Sequence, residues 1–277
     1  MKKILFPTDF SDTATNAFVH ALEFANKVNA EIVLLHTFEL PAVNDQYFPQ
    51  NYADIYQSIE LAQFDMFKNE IPKLRAIAEE RKLDKIKMAH RLMDGDLLHN
   101  IKQAIKEENI DFVVMGTAGS TGWESFFLGT NAGSVISGIN VPMLCVPIDA
   151  KFKKIEIMGF TTRFRPKDKI ALKMVLKIAK KSKAKVKCLY VKTSSSDVSP
   201  QTIKSWEEEY ANEPVDFYVV ESDDVEAVIL DFIMYKEIDL LTMLTYKRGF
   251  FDRILNPSLT KKIAINNEIP ILAIPIE

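Results

Sequence analysis

Three segments of this 277-residue chain occur twice, in the same order. "KKILFPTDF" from Lys2 is matched by "KKIEIMGFT" from Lys153. "ANKVNAEIVLLH" from Ala25 is matched by "AKKSKAKVKCLY" from Ala179, and "VPMLCVP" from Val141 by "IPILAIP" from Ile269. One such match would carry little, but three collinear ones point to a tandem duplication. The length accommodates two domains of ordinary size. The repeat places them at residues 1–149 and 150–277, with the boundary near Asp149 to Lys153.

Each copy alternates short apolar runs with helical periodicity. In the first, Lys3 to Phe6 reads as a strand. The next segment places Ala14, Phe18, Ala21, Leu22 and Ala25 on one helical face, with Ser11 or Asp12 as its N-cap. "EIVLLH" reads as a buried strand. A long amphipathic helix follows from about residue 50, bent or ended near Pro72. Then come a strand "KIKMAHRL", a helix "DLLHNIKQAIKEEN", a strand "DFVVMG", a helix "NAGSVISGI" and a strand "VPMLCVP". The second copy predicts strands at "KIEIM", "KVKCLYV", "DFYVV", "DLLTML" and "PILAI". Its helices fall near Pro166 to Ser182, Pro200 to Ala211, Asp223 to Tyr235 and Pro257 to Ile265. Strand runs without polar alternation indicate burial on both faces, as in a parallel sheet covered by helices. The expectation is an α/β chain of two similar doubly wound domains.

The formal net charge of -3 argues against a nucleic-acid binder. The lysines of Lys177 to Lys187 read as the solvated stripe and last turn of a helix running into a strand. Cys145 and Cys188 lie inside apolar runs and read as reduced core residues. No run approaches the roughly 20 apolar residues of a membrane span, and the N-terminal run is too short for a signal sequence. A soluble cytoplasmic protein with no membrane partner is expected.

Of nine glycines, four fall in "MGTAGSTGWESFFLGTN", residues 115–131. Gly116 follows a predicted strand, and Gly129 and Thr130 open a predicted helix. Such a loop can aim backbone N–H groups at an anion, and the helix start adds unpaired donors. It is not a Walker A loop, because no Gly-Lys-Ser/Thr ending is present. From the glycines alone, an anion cradle and a glycine-rich surface turn both stand. At the end of the first strand, "FPTDFS" places Pro7, Thr8 and Asp9. An aspartate there can accept from a sugar hydroxyl or a base amine, or can merely cap the following helix. In open parallel sheets, ligands sit beyond the carboxyl ends of the strands where the winding reverses.

Gly116-x2-Gly119-x9-Gly129-Thr130 resembles the nucleotide signature of the universal stress protein family, Gly-x2-Gly-x9-Gly-Ser/Thr, at every fixed position. "FPTDFSDTA" and "VPMLCVP" resemble that family's opening and closing strands. The resemblance implies, for each copy, a five-stranded parallel sheet in the order 3-2-1-4-5, of the adenine nucleotide alpha hydrolase-like kind. It also implies ATP, with or without Mg²⁺, at the carboxyl edge. Carried over by position, Asp9 meets the adenosine, with Pro7 and Thr8 shaping its loop. Phe38 lies against the adenine, where the family usually has a smaller aliphatic residue. Met115 and Gly116 line the floor. Gly119, Gly129, Thr130 and Asn131 hold phosphates and ribose.

The second copy departs from this pattern. Leu244 and Lys247 stand for Gly116 and Gly119, Asn256 and Pro257 for Gly129 and Thr130, and "MGFTTRF" offers no counterpart of Asp9. This copy is expected not to bind ATP in the family manner. The family's members commonly dimerise through the last strand. "VPMLCVP" and "IPILAIP", hazardous as bare edges, are therefore expected to pair antiparallel within the chain as a pseudo-dimer, with a further homodimer left open. Among His20, His36, His90 and His99 no pair has metal-ligand spacing, and only His36 falls near the expected cleft. Asp94 and Asp96 read as helix caps. The segment Thr37 to Gln57 reads as a loop that packs or forms a lid. Three functions remain: a regulatory protein with ATP as conformational ligand, a slow Mg-dependent ATP hydrolase, and an interaction module without nucleotide.

Overall fold

The computed structural model of the chain describes residues 1–40, 52–117, 130–246 and 269–276. Contacts divide it into two compact units, Met1–Met115 and Gly116–Glu277.

In the first unit, β1 (Lys2–Pro7) leads into α1 (Asp12–Val28), β2 (Ala30–Phe38), α2 (Tyr52–Glu80), β3 (Met88–Asp94), α3 (Leu97–Glu108) and the start of β4 (Phe112–Thr117). β1 pairs in parallel with β2 on one side and β4 on the other, and β2 pairs in parallel with β3. The inner strands are buried almost throughout, Ile4 to Pro7 and Ile32 to His36. The edge strand β3 is not, which follows from its having one neighbour. Ser11 caps α1 by accepting from the Ala14 N–H at 3.2 Å, and Asn29 ends it in the left-handed conformation. Asp96 caps α3 through the His99 N–H at 2.8 Å. Asp111 pins the start of β4 to β1, its carboxylate accepting from the Lys3 N–H at 2.8 Å.

Of the two alternatives at Pro72 the ending does not occur, since α2 runs through the proline to Glu80. Phe67, Leu74 and Ala78 bury its face on both sides of the proline, which outweighs one lost backbone bond. The helix expected from about residue 50 is present from Tyr52, so the overlapping loop reading is corrected over Tyr52 to Gln57. The third strand begins at Met88, later than expected, after a turn at 81–86.

The second unit contains α4 (Thr130–Gly138), β5 (Met143–Pro147), β6 (Ile157–Thr161), α5 (Pro166–Ser182), β7 (Lys185–Lys192), α6 (Pro200–Glu209), β8 (Val215–Glu221), α7 (Val225–Tyr235), β9 (Leu240–Tyr246) and β10 (Ile271–Ile276). The helix expected near Pro257 to Ile265 lies outside the described residues. Parallel pairing runs β10-β9-β6-β7-β8, which is the order 3-2-1-4-5 expected for the second copy. β6 starts at Ile157 rather than Lys154, because the Asp239 carboxylate accepts the Glu156 and Ile157 N–H groups at 2.9 Å each. Asp239 thus does for β6 what Asp111 does for β1. The matching dipeptides Ile110-Asp111 and Ile238-Asp239 are a further trace of the repeat.

β5 and β10 pair antiparallel, with Leu144 opposite Leu272. All six residues named in this register are nearly inaccessible, so the two apolar edge strands cover each other as expected. This pairing also explains why contacts divide the chain at Gly116 and not at the repeat boundary. β5 belongs by sequence to the first copy and by hydrogen bonding to the second unit. Cys145 and Cys188 are free and buried, as read from the sequence.

Candidate functional site

β1 and β4 are parallel neighbours, so the loop after Pro7 and the end of β4 at Met115 leave the sheet at the same edge. The loop after β1 is tightly organised. The Thr8 N–H donates to the Leu35 carbonyl at 2.8 Å, and the Thr8 hydroxyl accepts from the Phe10 N–H at 3.0 Å. Phe10 adopts φ +61°, a left-handed conformation that costs a bulky residue about 1–2 kcal/mol. Ring contacts with His36 and Phe67, at 5.2 and 5.9 Å, offset that cost. The turn reverses the chain directly after Asp9 and leaves its side chain exposed.

Asp9 uses one carboxylate oxygen locally. Its Oδ1 accepts from the Ser11 N–H at 3.0 Å and the Ser11 hydroxyl at 2.6 Å. Asp9 thus turns the loop onto Ser11, and the cap of α1 is Ser11, not Asp9. Oδ2 receives no hydrogen bond among the described residues and remains open to an outside donor. Pro7 is buried and Thr8 is buried, consistent with roles in shaping the loop.

Phe38 is the last residue of β2, and its carbonyl accepts from the Gly95 N–H at 2.8 Å. It lines a cleft of about 740 Å³ at the carboxyl ends of β2 and β3, between α2 and α3, with Phe64, Leu92, Met93, Glu60 and Asp94 among its walls. Apart from Phe38 and Asp94, no sequence signal singled out these wall residues, which come from separate elements, α2 and β3.

Met115 and Gly116 lie within β4, which continues to Thr117, one residue beyond the expected end. The Thr117 hydroxyl is buried and has no hydrogen-bond partner. Orphaned buried hydroxyls are uncommon, and this one sits inside the glycine signature. Thr130 is the first residue of α4. Gly119 and Gly129 lie outside the described residues, as do the side chains of Thr130 and Asn131.

The corresponding positions of the second copy show what has been exchanged. Register equates Ile4 with Met158 and hence Phe112 with Leu240, so Leu244 stands for Gly116 and is buried. The turn after β6 repeats two bonds and the left-handed residue of the turn after β1. Thr162 N–H donates to Leu189 O at 2.9 Å, the Thr162 hydroxyl accepts from Phe164 N–H at 2.9 Å, and Phe164 has φ +54°. The triplet Thr-x-Phe was the sequence signal for this turn. Within it, Arg163 replaces Asp9, so an acceptor has become a cation. Phe164 packs on Tyr190 and Trp206 at 5.3 and 5.0 Å, as Phe10 packs on His36 and Phe67.

A family model described as the universal stress protein family matches residues 1–147. The chain belongs to that family. It is similar to universal stress protein MJ0531 of Methanocaldococcus jannaschii, 30% identical over 145 residues, which are 52% of this chain and 81% of that protein. Universal stress protein MJ0577 of the same organism is 28% identical over 157 residues, covering 52% of this chain and 94% of that protein. Both matches thus span about half of the chain. A solved universal stress protein from Archaeoglobus fulgidus covers 99% of this chain and 98% of its own at a TM-score of 0.74 and 17% identity. That likeness extends the fold to both copies.

Among the described residues no helix is long and apolar enough to cross a membrane.

Proposed function

We propose that this universal stress protein family member binds one ATP through its first copy, with the nucleotide acting as a conformational ligand. The observation that carries the reading is the loop after β1. Thr8 is held through its N–H, hydroxyl oxygen and carbonyl, and Asp9 through Oδ1, while the exposed Asp9 Oδ2 has no partner among the described residues. That is the acceptor an adenosine hydroxyl or amine needs. The residues present fit an adenine nucleotide further along the signature as well. The Thr117 hydroxyl has no partner among the described residues, and α4 begins at Thr130, a helix start whose first N–H groups have no partner within the helix.

In this reading Pro7 and Thr8 hold the loop, Asp9 accepts from the adenosine, and Phe38 stacks on the adenine. Met115 and Gly116 form the floor, and Gly119, Gly129, Thr130 and Asn131 receive ribose and phosphates. Mg²⁺ would arrive with the phosphates. The second copy, with Arg163 for Asp9 and buried Leu244 for Gly116, binds no ATP in this manner. Residues 1–149 and 150–277 are two homologous domains of a cytoplasmic chain, and the β5–β10 ribbon makes them a pseudo-dimer.

The test is the nucleotide content of the purified protein, followed by ATP titration of wild type against Gly129→Leu. About one ATP per chain, lost in the variant, is expected, since a leucine side chain fills space that phosphate needs. Absence of any titration signal in the wild type would leave an interaction module as the better reading. Phosphate release under turnover would mark a slow hydrolase.

A further inference from the structure

His36 lies near the carboxyl end of β2 and is buried. Its Nδ1 is 2.7 Å from the Thr8 carbonyl oxygen, and its Nε2 is 3.4 Å from the Gln63 carboxamide of α2. A carbonyl can only accept, so the ring carries its proton on Nδ1 and donates it to Thr8; Nε2 is then an acceptor, and it bonds Gln63 when that carboxamide turns its NH2 rather than its Oε1 toward the ring. In that arrangement one imidazole joins the loop that bears Asp9 to a helix 27 residues further along the chain.

The second copy holds the same turn in another way. Its turn after β6 has the same two bonds and the same left-handed phenylalanine, yet the residue at the position of His36 is Tyr190, whose buried hydroxyl has no hydrogen-bond partner among the described residues. There the Asp168 carboxylate accepts from the Thr162 hydroxyl and the Arg163 N–H, and no described group tethers the Thr162 carbonyl. What His36 adds is found only in the copy whose loop ends in Asp9.

We propose that His36 is a positioning residue of the nucleotide site: by holding the Thr8 carbonyl, it fixes the direction in which Asp9 is presented and couples that direction to α2. The inference rests on the ATP reading above. It makes a residue outside the glycine signature a determinant of adenosine affinity, and it makes α2 the element through which a bound nucleotide is felt.

Two polar substitutions separate the two ends of the ring. In His36→Asn the amide nitrogen occupies the place of Nδ1 and can still donate to Thr8. In His36→Gln the amide reaches the place of Nε2 and leaves the Thr8 carbonyl without its donor. ATP affinity is measured by titration calorimetry for wild type and both variants, with thermal melting of each. The Asn variant is expected to stay within about twofold of wild type. The Gln variant is expected to weaken by about 5- to 10-fold, the size of one net hydrogen bond, while both melt cooperatively. Equal affinity of the Gln variant and wild type would overturn the proposal, as would an Asn variant as weak as Gln. A loss of ATP binding that only follows a loss of folded protein would make the residue structural and also overturn it. A wild type that binds no ATP would instead remove the nucleotide reading itself, and this proposal with it.

Discussion

Asp168 offers a demanding test of how the second copy is held together. Its side chain is wholly buried at the first turn of α5. A single oxygen, Oδ2, accepts from the Thr162 hydroxyl at 2.9 Å, the Arg163 N–H at 2.8 Å and the Arg165 N–H at 3.2 Å. The Thr162 hydroxyl in turn accepts from the Phe164 N–H, so the whole left-handed turn hangs on one carboxylate. Substitution to alanine strands these donors. Arg163 and Arg165 are exposed enough for water to replace the carboxylate, but the buried Thr162 hydroxyl loses its acceptor and regains nothing. One buried donor left unsatisfied costs about 1–3 kcal/mol, and loss of charge-assisted bonds to the other two adds about 1 kcal/mol. Asp168→Ala should therefore destabilise this half by about 2–4 kcal/mol. Asp168→Asn keeps an acceptor without its charge and should cost about half as much. Urea unfolding followed by Trp206 fluorescence, in a Trp123→Phe background, reads the right place, since Trp206 packs 5.0 Å from Phe164 of the turn. A shift in the urea midpoint equivalent to less than about 0.5 kcal/mol for the alanine variant, at unchanged slope, would refute the reasoning.

Two further perturbations test other parts of the fold. A Cβ on Gly159 of β6 would lie 2.9 Å from Leu241 Cδ1 and 3.0 Å from Ile238 Cγ2, both buried side chains, so Gly159→Val should cost about 1–3 kcal/mol in the same denaturation assay. Burial pushes the Cys145 thiol up to about 12 and the Cys188 thiol well above its usual value. Neither forms thiolate near neutral pH, so both should resist a thiol-specific reagent at pH 8 in the folded protein and react fully in denaturant.

Much of the fold was legible because it rests on local pattern. The 3.6-residue face of Ala14, Phe18, Ala21 and Ala25 and the unbroken run Ile32 to His36 can each satisfy their burial in only one kind of element. α5 begins and ends where the sequence placed it, at Pro166 and Ser182, because proline at a first turn and a lysine-rich last turn are strong local signals. The errors came where tertiary contact overrides local preference. Pro72 looked like a break, but burial of Phe67 and Leu74 on either side carries the helix through it. The helix read from about residue 50 is present from Tyr52, so the overlapping reading of Thr37 to Gln57 as loop fails over its last six residues.

The candidate site divides along the same line. The glycine spacing and the position of Asp9 after β1 could be read directly, since both depend on residues close together in the chain. The repeat was read from the sequence, and the 3-2-1-4-5 winding found in the second copy is the one that the family resemblance implied. The tertiary structure alone decided that His36 serves Thr8 from 28 residues away, that Asp168 anchors the turn after β6, and that β5 hydrogen-bonds in the unit it does not belong to by descent. Those pairings depend on which atoms the strand register brings within 3 Å, and a hydrogen bond is decided at that scale.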